Sequence, residues 1–403
     1  MTMELQRLKV LGAGILSLVV MLGVARFAYT PLIPVMELHA GLGTAQSGWL
    51  ATFNYIGYMC GALIAASVNS LITKDTLYRL GLIVAVLTTV GMGLTDNWLI
   101  WSILRFLAGL SSAAGLLIGS GLILNWLMRH NYHSELGIHF AGMGIGIAFC
   151  SIAVELMIDH FSWEQQWFIF SLLGVLIAIP AWRWLPRPTL ATLTQQNANL
   201  QDNPPSMAFM ILMMLAYFCA GVGYVISATF TVAIAERLPE VQGLGNLVFL
   251  IVGVAAAPAC ILWDFVARKT GILNALLIAY ILHIGGFLAP ILGSGLPSLL
   301  VSAVLYGFTF IGIVSLVLTM SGRFYPSKPA KMMGKMTLSY GIAQIIAPAL
   351  TGQLAEQTGS FDSGLYLAVG FTALGIAFLL LAKTLGHQDL STSFTSQKTT
   401  IQR

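Results

Sequence analysis

Long apolar runs alternate with short polar breaks along almost the whole chain, and their lengths predict helices rather than strands. Twelve such runs occur. The first six cover residues 10–36, 46–72, 77–95, 98–127, 135–158 and 165–185, and the second six cover 207–235, 243–263, 271–292, 297–321, 332–355 and 363–383. Crossing a hydrocarbon core takes roughly 20 apolar helical residues, and each run is about that long or longer. One extended polar stretch, Arg187 to Ser206, separates the two sets, and a polar tail follows Thr384. The pattern predicts an all-α polytopic membrane protein in four parts. These are a six-helix bundle over 1–186, a linker over 187–206, a second six-helix bundle over 207–383, and a disordered tail over 384–403.

The pattern is broken most sharply in the first run, at Gly23 to Pro34 (GVARFAYTPLIP). Arg26 stands there at membrane depth, where a cation costs at least ~2.5 kcal/mol. That cost is removed only by a watery cavity, a counter-ion or a ligand. Tyr29 and Thr30 follow at three and four residues and share its helix face. Pro31 and Pro34 weaken the helix beyond, which is tolerated where neighbours or cavity water satisfy the freed carbonyls. A polar stripe on a spanning helix implies a path through the membrane.

Composition narrows the class. Only 8% of the residues are charged and 57% are hydrophobic, with a mean hydropathy of +0.85, whereas soluble domains carry about 25% charged residues. The net charge of +4 is no sign of nucleic-acid binding, because the basic residues are placed by topology. With the N-terminus cytoplasmic, fifteen of the nineteen Lys and Arg fall on that side. Arg26, Arg105 and Lys335 fall within helices, and Arg237 alone falls outside. This bias predicts an even number of spans with both termini inside. The first run is too long for a signal peptide and serves as its own insertion signal. Cys60, Cys150, Cys219 and Cys260 lie in apolar runs without metal-ligand spacing and read as reduced packing residues.

The two halves resemble each other at a constant offset. Gly23-Val24-Ala25-Arg26 aligns with Gly221-Val222-Gly223-Tyr224, and the same shift carries Gly109 onto Gly307. This register predicts a six-plus-six parallel repeat.

Several stretches resemble the major facilitator superfamily. WSILRFLAGLSSAAG (Trp101 to Gly115) is similar to its fourth-helix pattern, an arginine followed by glycine four residues on and then small residues. LWDFVARKTG (Leu262 to Gly271) resembles its loop motif G-x-L-x-D-R-x-G-R-R through Asp264, Arg268, Lys269 and Gly271, while Trp263 and Phe265 depart from it. The matching loop of the first half keeps Asp75, Arg79 and Gly81. AGMGIG (Ala141 to Gly146) lacks the proline of the antiporter motif. YGIAQIIAPALTGQLAEQTG (Tyr340 to Gly359), RFAYTPLIP and GVGYVISATF together resemble the YbfB/YjiJ-type bacterial branch. The resemblance implies an alternating-access carrier in the inner (plasma) membrane, with helices one, four, seven and ten lining a central cavity. It also implies a conformational latch at Asp264, Arg268, Lys269 and Gly271, with Asp264 bonding to the start of helix eleven and to a loop arginine.

Heights follow from the ~1.5 Å rise per residue: Arg26 lies roughly 24 Å along helix one, and Arg105 roughly 10 Å below the outer end of helix four. The two reach similar levels, where two cations repel unless an anion joins them. Glu155 is the helical carboxylate nearest that level, so Arg105 either pairs with Glu155 or binds substrate. The substrate-facing set is Arg26, Tyr29, Thr30, Asn54, Tyr58, Arg105, Tyr217, Tyr224, Tyr306, Thr309 and Gln344, with Glu155, His139 and His283 as carriers of a coupling proton. Arginine's planar fork of donors suits carboxylate, phosphate or sulfate, which makes an anionic or zwitterionic organic solute the expected cargo. The alternatives are efflux of a neutral or amphipathic compound and, outside transport, a membrane receptor or scaffold. No P-loop, HExxH, GxSxG or carboxylate dyad is present, so neither ATP use nor an enzyme is expected. The expected partners are a small solute, a proton and the bilayer, for a monomer with no cofactor, no metal and no nucleic acid.

Overall fold

Twelve helical rods follow in chain order in the computed structural model, which describes residues 3–130, 132, 136–188, 203–293, 295–325 and 330–400. They are α1 (Met3–His39), α2 (Thr44–Ser67), α3 (Leu71–Met92), α4 (Trp98–Arg129), α5 (Leu136–Met157), α6 (Trp163–Trp184) and α7 (Met207–Glu236). Next come α8, in two pieces (Gly245–Ala256 and Ala259–Thr270), then α9 (Ile272–Leu292), α10 (Leu296–Phe324), α11 (Ala330–Thr358) and α12 (Asp362–Thr400). No strand occurs among the described residues. Ten rods are long and apolar enough to cross a bilayer, and α8 makes eleven although its pieces meet at 46°. Pro258 lies in that break, where its missing N–H interrupts the ladder. α11 is the least apolar rod by composition, with Lys335, Gln344 and Glu356 among its residues, and it is held by packing along α2 and α7.

Two boundaries differ from the hydropathy reading. α1 begins at Met3 rather than near residue 10, because a polar first turn with Glu4 paired to Arg7 at 2.9 Å continues the apolar rod. α12 is bounded at Asp362–Thr400, so its helical backbone passes the edge near residue 383 that hydropathy gives. Most of the expected linker, residues 189–202, lies outside the described residues.

α1 and α7 are among the most buried rods, and α6 and α12 are the least buried. α6 turns Leu172, Leu176 and Ile179 outward at helical spacing, the signature of a lipid-facing stripe. Across the two sets of six, α2 packs on α11, α5 on α8, and the last turns of α1 on α7.

The constant offset reappears as repeated contacts. A Cβ added to Gly109 on α4 would overlap the backbone carbonyl of Asn54 on α2, and one added to Gly307 on α10 would overlap that of Val252 on α8. Both glycines and both carbonyls are separated by the same shift, so each half uses one glycine to bring the same two helices into contact. Gly271, between α8 and α9, has φ 85°, a conformation that only glycine adopts without strain.

The loop-motif remnant of the first half has become a buried anchor. Arg79 pairs with Asp75 at 2.9 Å, donates to the carbonyls of Trp182 (2.7 Å) and Leu185 (3.0 Å), and lies 4.9 Å from the Trp182 ring. It therefore ties α3 to the C-terminal end of α6, where a cation is favoured by the helix dipole.

Gly109→Ala and Gly307→Ala are each expected to destabilise the folded protein by about 1–3 kcal/mol through overpacking. Gly121→Ala, with nothing within 4 Å of the added carbon, is expected to cost nothing. Thermal unfolding in detergent checks all three. In the same assay Arg79→Ala, which strands Asp75, is expected to cost about 3–5 kcal/mol.

Candidate functional site

The middle of α1 is wound more widely than an α-helix. Over Val19–Phe27 its turns are of the π type, and the N–H of Ala28 reaches back five residues to the carbonyl of Gly23 at 2.8 Å. Pro31 then offers no N–H to the turn below it. Carbonyls on this stretch are left with acceptor capacity, and α4 supplies the donors. Arg105 donates to the carbonyls of Ala25 (3.0 Å) and Arg26 (3.4 Å), and Ser112 donates to that of Met21 (2.8 Å). The Arg105 guanidinium also lies 4.4 Å from the Tyr29 ring, and Asn54 on α2 donates to the Arg105 carbonyl at 2.9 Å. Arg105 is thus a positioning residue for the widened turn.

Arg26 is spent differently. It donates to the Tyr224 hydroxyl at 3.2 Å and lies 4.4 Å from the ring of Tyr55 and 5.2 Å from that of Tyr58. Its Nε has no partner, and neither does the Nε of Arg105 or the Oδ1 of Asn54. No carboxylate reaches either guanidinium among the described residues. Glu155 accepts instead from Asn246 on α8 at 3.0 Å, so the pairing of Arg105 with Glu155 is not made. Arg26 with Tyr224, and Thr30 with the carbonyl of Ala228 (2.7 Å), are separated by the same 198 residues. That number is the repeat offset. Equivalent positions meet each other here, as a two-fold-like relation between the halves requires. A similar contact recurs out of exact register: Tyr306 on α10 donates to the carbonyl of Tyr224 at 3.0 Å, three residues past the position equivalent to Arg105, which donates to the carbonyl of Arg26.

Arg26, Tyr29, Thr30, Asn54 and Arg105 border one cavity of about 10 Å³, with Tyr55 and Thr229 beside them. That is scarcely room for one water. The aqueous path expected beside Arg26 is therefore closed at this level, because tyrosine rings and the clasp of α1 on α7 fill it. A roomier cleft of about 760 Å³ lies at the face opposite the termini, bordered by Pro31, Pro34, His39, Asp159, Glu236 and Asn246.

The other singled-out residues divide into groups. Tyr58 stands in the cage around Arg26. Tyr217 stacks on Tyr340 at 4.4 Å, and Tyr340 on Tyr224 at 5.6 Å, which extends an aromatic ladder away from Arg26. His283 bonds to Thr309 and stacks on Tyr306 at 5.6 Å, on a second branch of rings that reaches Tyr224 through Phe310. Gln344 is buried with an unpartnered Oε1 and does not border the cavity. His139 bonds to Ser120 at 3.0 Å inside the first half, apart from both arginines. Asp264 pairs with Arg268 of its own helix at 2.7 Å in an exposed position, and Lys269 lies over Phe265 at 4.3 Å. Residues 326–329, just before α11, lie outside the described residues.

The hydropathy reading missed two members of this region. Tyr55 shares a helix face with Tyr58 and is the closest ring to Arg26, a spacing that was available in the sequence. Glu37 at the end of α1 meets Arg237 at the end of α7, at 3.6 Å. The signal for that pair was the isolation of Arg237 as a lone cation on its side.

Comparison with known proteins agrees with this architecture. Among solved structures, the nucleoside transporter NupG superposes with a TM-score of 0.71 at 14% identity, covering 96% of this chain and all of that one. A bacterial homologue of the human lysosomal transporter Spinster, inward-facing and unoccupied, gives 0.68 at 16% identity, with 96% and 99% covered. At these identities the likeness is one of fold. In sequence, the uncharacterised MFS-type transporter YceJ of Bacillus subtilis (strain 168) is 22% identical over 250 residues, 59% of this chain and 64% of that protein, less than two thirds of its length. The hexuronate transporter of the same organism is 21% identical over 380 residues, 86% of this chain and 87% of that protein. The niacin transporter NiaP of Acinetobacter baylyi is 22% identical over 158 residues, 39% of this chain and 35% of that protein. A family profile described as "Uncharacterised MFS-type transporter YbfB" matches residues 18–381, nearly the whole membrane region. On that match the chain belongs to the major facilitator superfamily, in its YbfB-type transporter family.

Proposed function

We propose that the protein is a secondary carrier that moves a small organic anion across the plasma membrane by alternating access, with the cargo's charge taken by Arg26. The observation carrying this is the imbalance at the cavity. Two buried guanidiniums share one level without a carboxylate, and one of them, Arg26, has committed a single N–H to a neutral hydroxyl. An anion entering beside it supplies the missing charge and accepts the remaining donors. Arg105 has its two terminal nitrogens on carbonyls of α1 and keeps the widened turn in place. The relatives named for a hexuronate and for niacin, both carboxylates, support the same substrate class.

The sealed cavity is an occluded stage of that cycle. Cargo reaches Arg26 when the clasp of Thr30 on Ala228 and of Arg26 on Tyr224 parts, so that binding and opening compete for the same groups. On this reading the basic bias supports cytoplasmic termini, with the 760 Å³ cleft on the outer face. His283, beside Tyr306 on the second branch of rings, is a proton carrier on this reading, as is the exposed Glu155.

A thermal-shift screen of purified protein against organic carboxylates, amino acids, sugars and neutral drugs tests the substrate class. Carboxylates are expected to stabilise, and stabilisation only by neutral amphiphiles overturns the reading. Arg26→Ala is expected to abolish both that stabilisation and flux in reconstituted vesicles, by about 100-fold or more, while the protein still folds. Normal flux by this variant removes Arg26 from the mechanism. Arg105→Ala is expected instead to lower thermal stability without ligand, because its carbonyl contacts to α1 are lost.

A further inference from the structure

The outer ends of α1 and α7 are joined by the ion pair of Glu37 and Arg237, eleven residues beyond Arg26 on the same helix. Arg237 is also bound to other elements. It donates to the Thr44 hydroxyl at the start of α2 at 2.7 Å, and its guanidinium lies 4.6 Å from the ring of Phe361, between α11 and α12. One side chain therefore gathers both halves at the outer face. Its partner is unevenly satisfied. One oxygen of Glu37 faces Arg237 at 3.6 Å, longer than a good hydrogen bond, and the other, Oε1, is buried without a well-aligned hydrogen bond, the hydroxyls of Thr44 and Ser47 standing beside the carboxylate. A carboxylate placed so keeps its charge chiefly through the cation opposite.

We propose that Glu37 is a proton-binding residue, and that its pairing with Arg237 is a latch that holds the outer ends of α1 and α7 together until the carboxylate takes a proton. The proton comes from outside water through the adjoining cleft, whose border includes Val35, Leu38 and His39 on the neighbouring turns. It adds to the carboxylate oxygen and removes the negative charge. Arg237 then keeps only Thr44 and the Phe361 ring, neither of which belongs to α1.

Several charged and polar groups lie on the elements packed around Glu37. From α7 they are Arg237 and Glu236, and Glu236 is committed to the N–H groups of Gly243 (2.8 Å) and Gly245 (2.9 Å). From α2 they are the hydroxyls of Thr44 and Ser47, and from the outer end of α11 Glu356, near Gly43. On α1 itself they are His39 and Tyr29, whose hydroxyl is bound to the Ser47 carbonyl at 3.0 Å. Arg237 is the cation of this set that is ionised at every working pH, so the latch responds to the carboxylate.

The proposal rests on the carrier reading above, and its test is chosen to fail separately. Spin labels at Leu38→Cys and Glu240→Cys, both exposed, in full-length Cys60→Ala protein in nanodiscs report the distance between the two outer ends. In the otherwise unchanged protein this distance is expected to lengthen by about 5 Å or more as pH falls from about 8 to about 5. Glu37→Gln is expected to hold the longer distance at both pH values, and Glu37→Asp to keep a response. A distance that does not change with pH, or a Glu37→Gln variant that still responds, overturns the latch. Neither outcome touches the binding of anions at Arg26, which the thermal-shift screen reads.

Discussion

A guanidinium inside a membrane must be compensated, and the centre of this protein is built around two different ways of doing so. Arg105 is compensated by backbone. The widened turn of α1 and the missing N–H of Pro31 provide carbonyls, and the arginine fastens α4 to α1 through them. Arg26 is compensated by rings and one hydroxyl. A cation at membrane depth costs ~2.5–3.5 kcal/mol on insertion scales. One charged hydrogen bond returns ~1.5–3 kcal/mol, and each desolvated cation–π contact returns up to ~2. The ledger closes without a counter-ion, which is why Arg26 can stand beside so small a cavity with donors unused.

Much of this was legible in the apolar pattern. Twelve rods, their approximate edges and the polar interruption at Arg26 followed from hydropathy alone. The 198-residue offset was visible in a handful of matching residues, and the structure gives it meaning as contact between equivalent positions. What could not be read was the partner of each polar group. A pair of Glu155 with Arg105 was one of two readings the sequence left open, because both are charged and at similar heights. The carbonyls that hold Arg105 carry no mark in the side-chain sequence, since they arise from the winding of the helix.

Long-range partners were hidden for a second reason. Glu37 and Arg237 lie 200 positions apart, and each reads on its own as an ordinary residue at a helix end. Their meeting depends on how the two halves close against each other. The loop motif gives the converse case. Asp264 and Arg268 match the family pattern best and lie exposed, whereas the degenerate remnant at Asp75 and Arg79 is buried, with Arg79 bound to Asp75 and to two carbonyls at the C-terminal end of α6.

The place where the halves touch is related by symmetry, but its two occupants are not alike. A cation stands at position 26 and a phenol stands at position 224, its counterpart by the repeat. On the carrier reading proposed above, a molecule held between them has a head and a tail: its acidic end belongs to the first half and its other end to the second. Whichever compartment it arrives from, such a cargo would then travel in one fixed orientation, handed across without turning over.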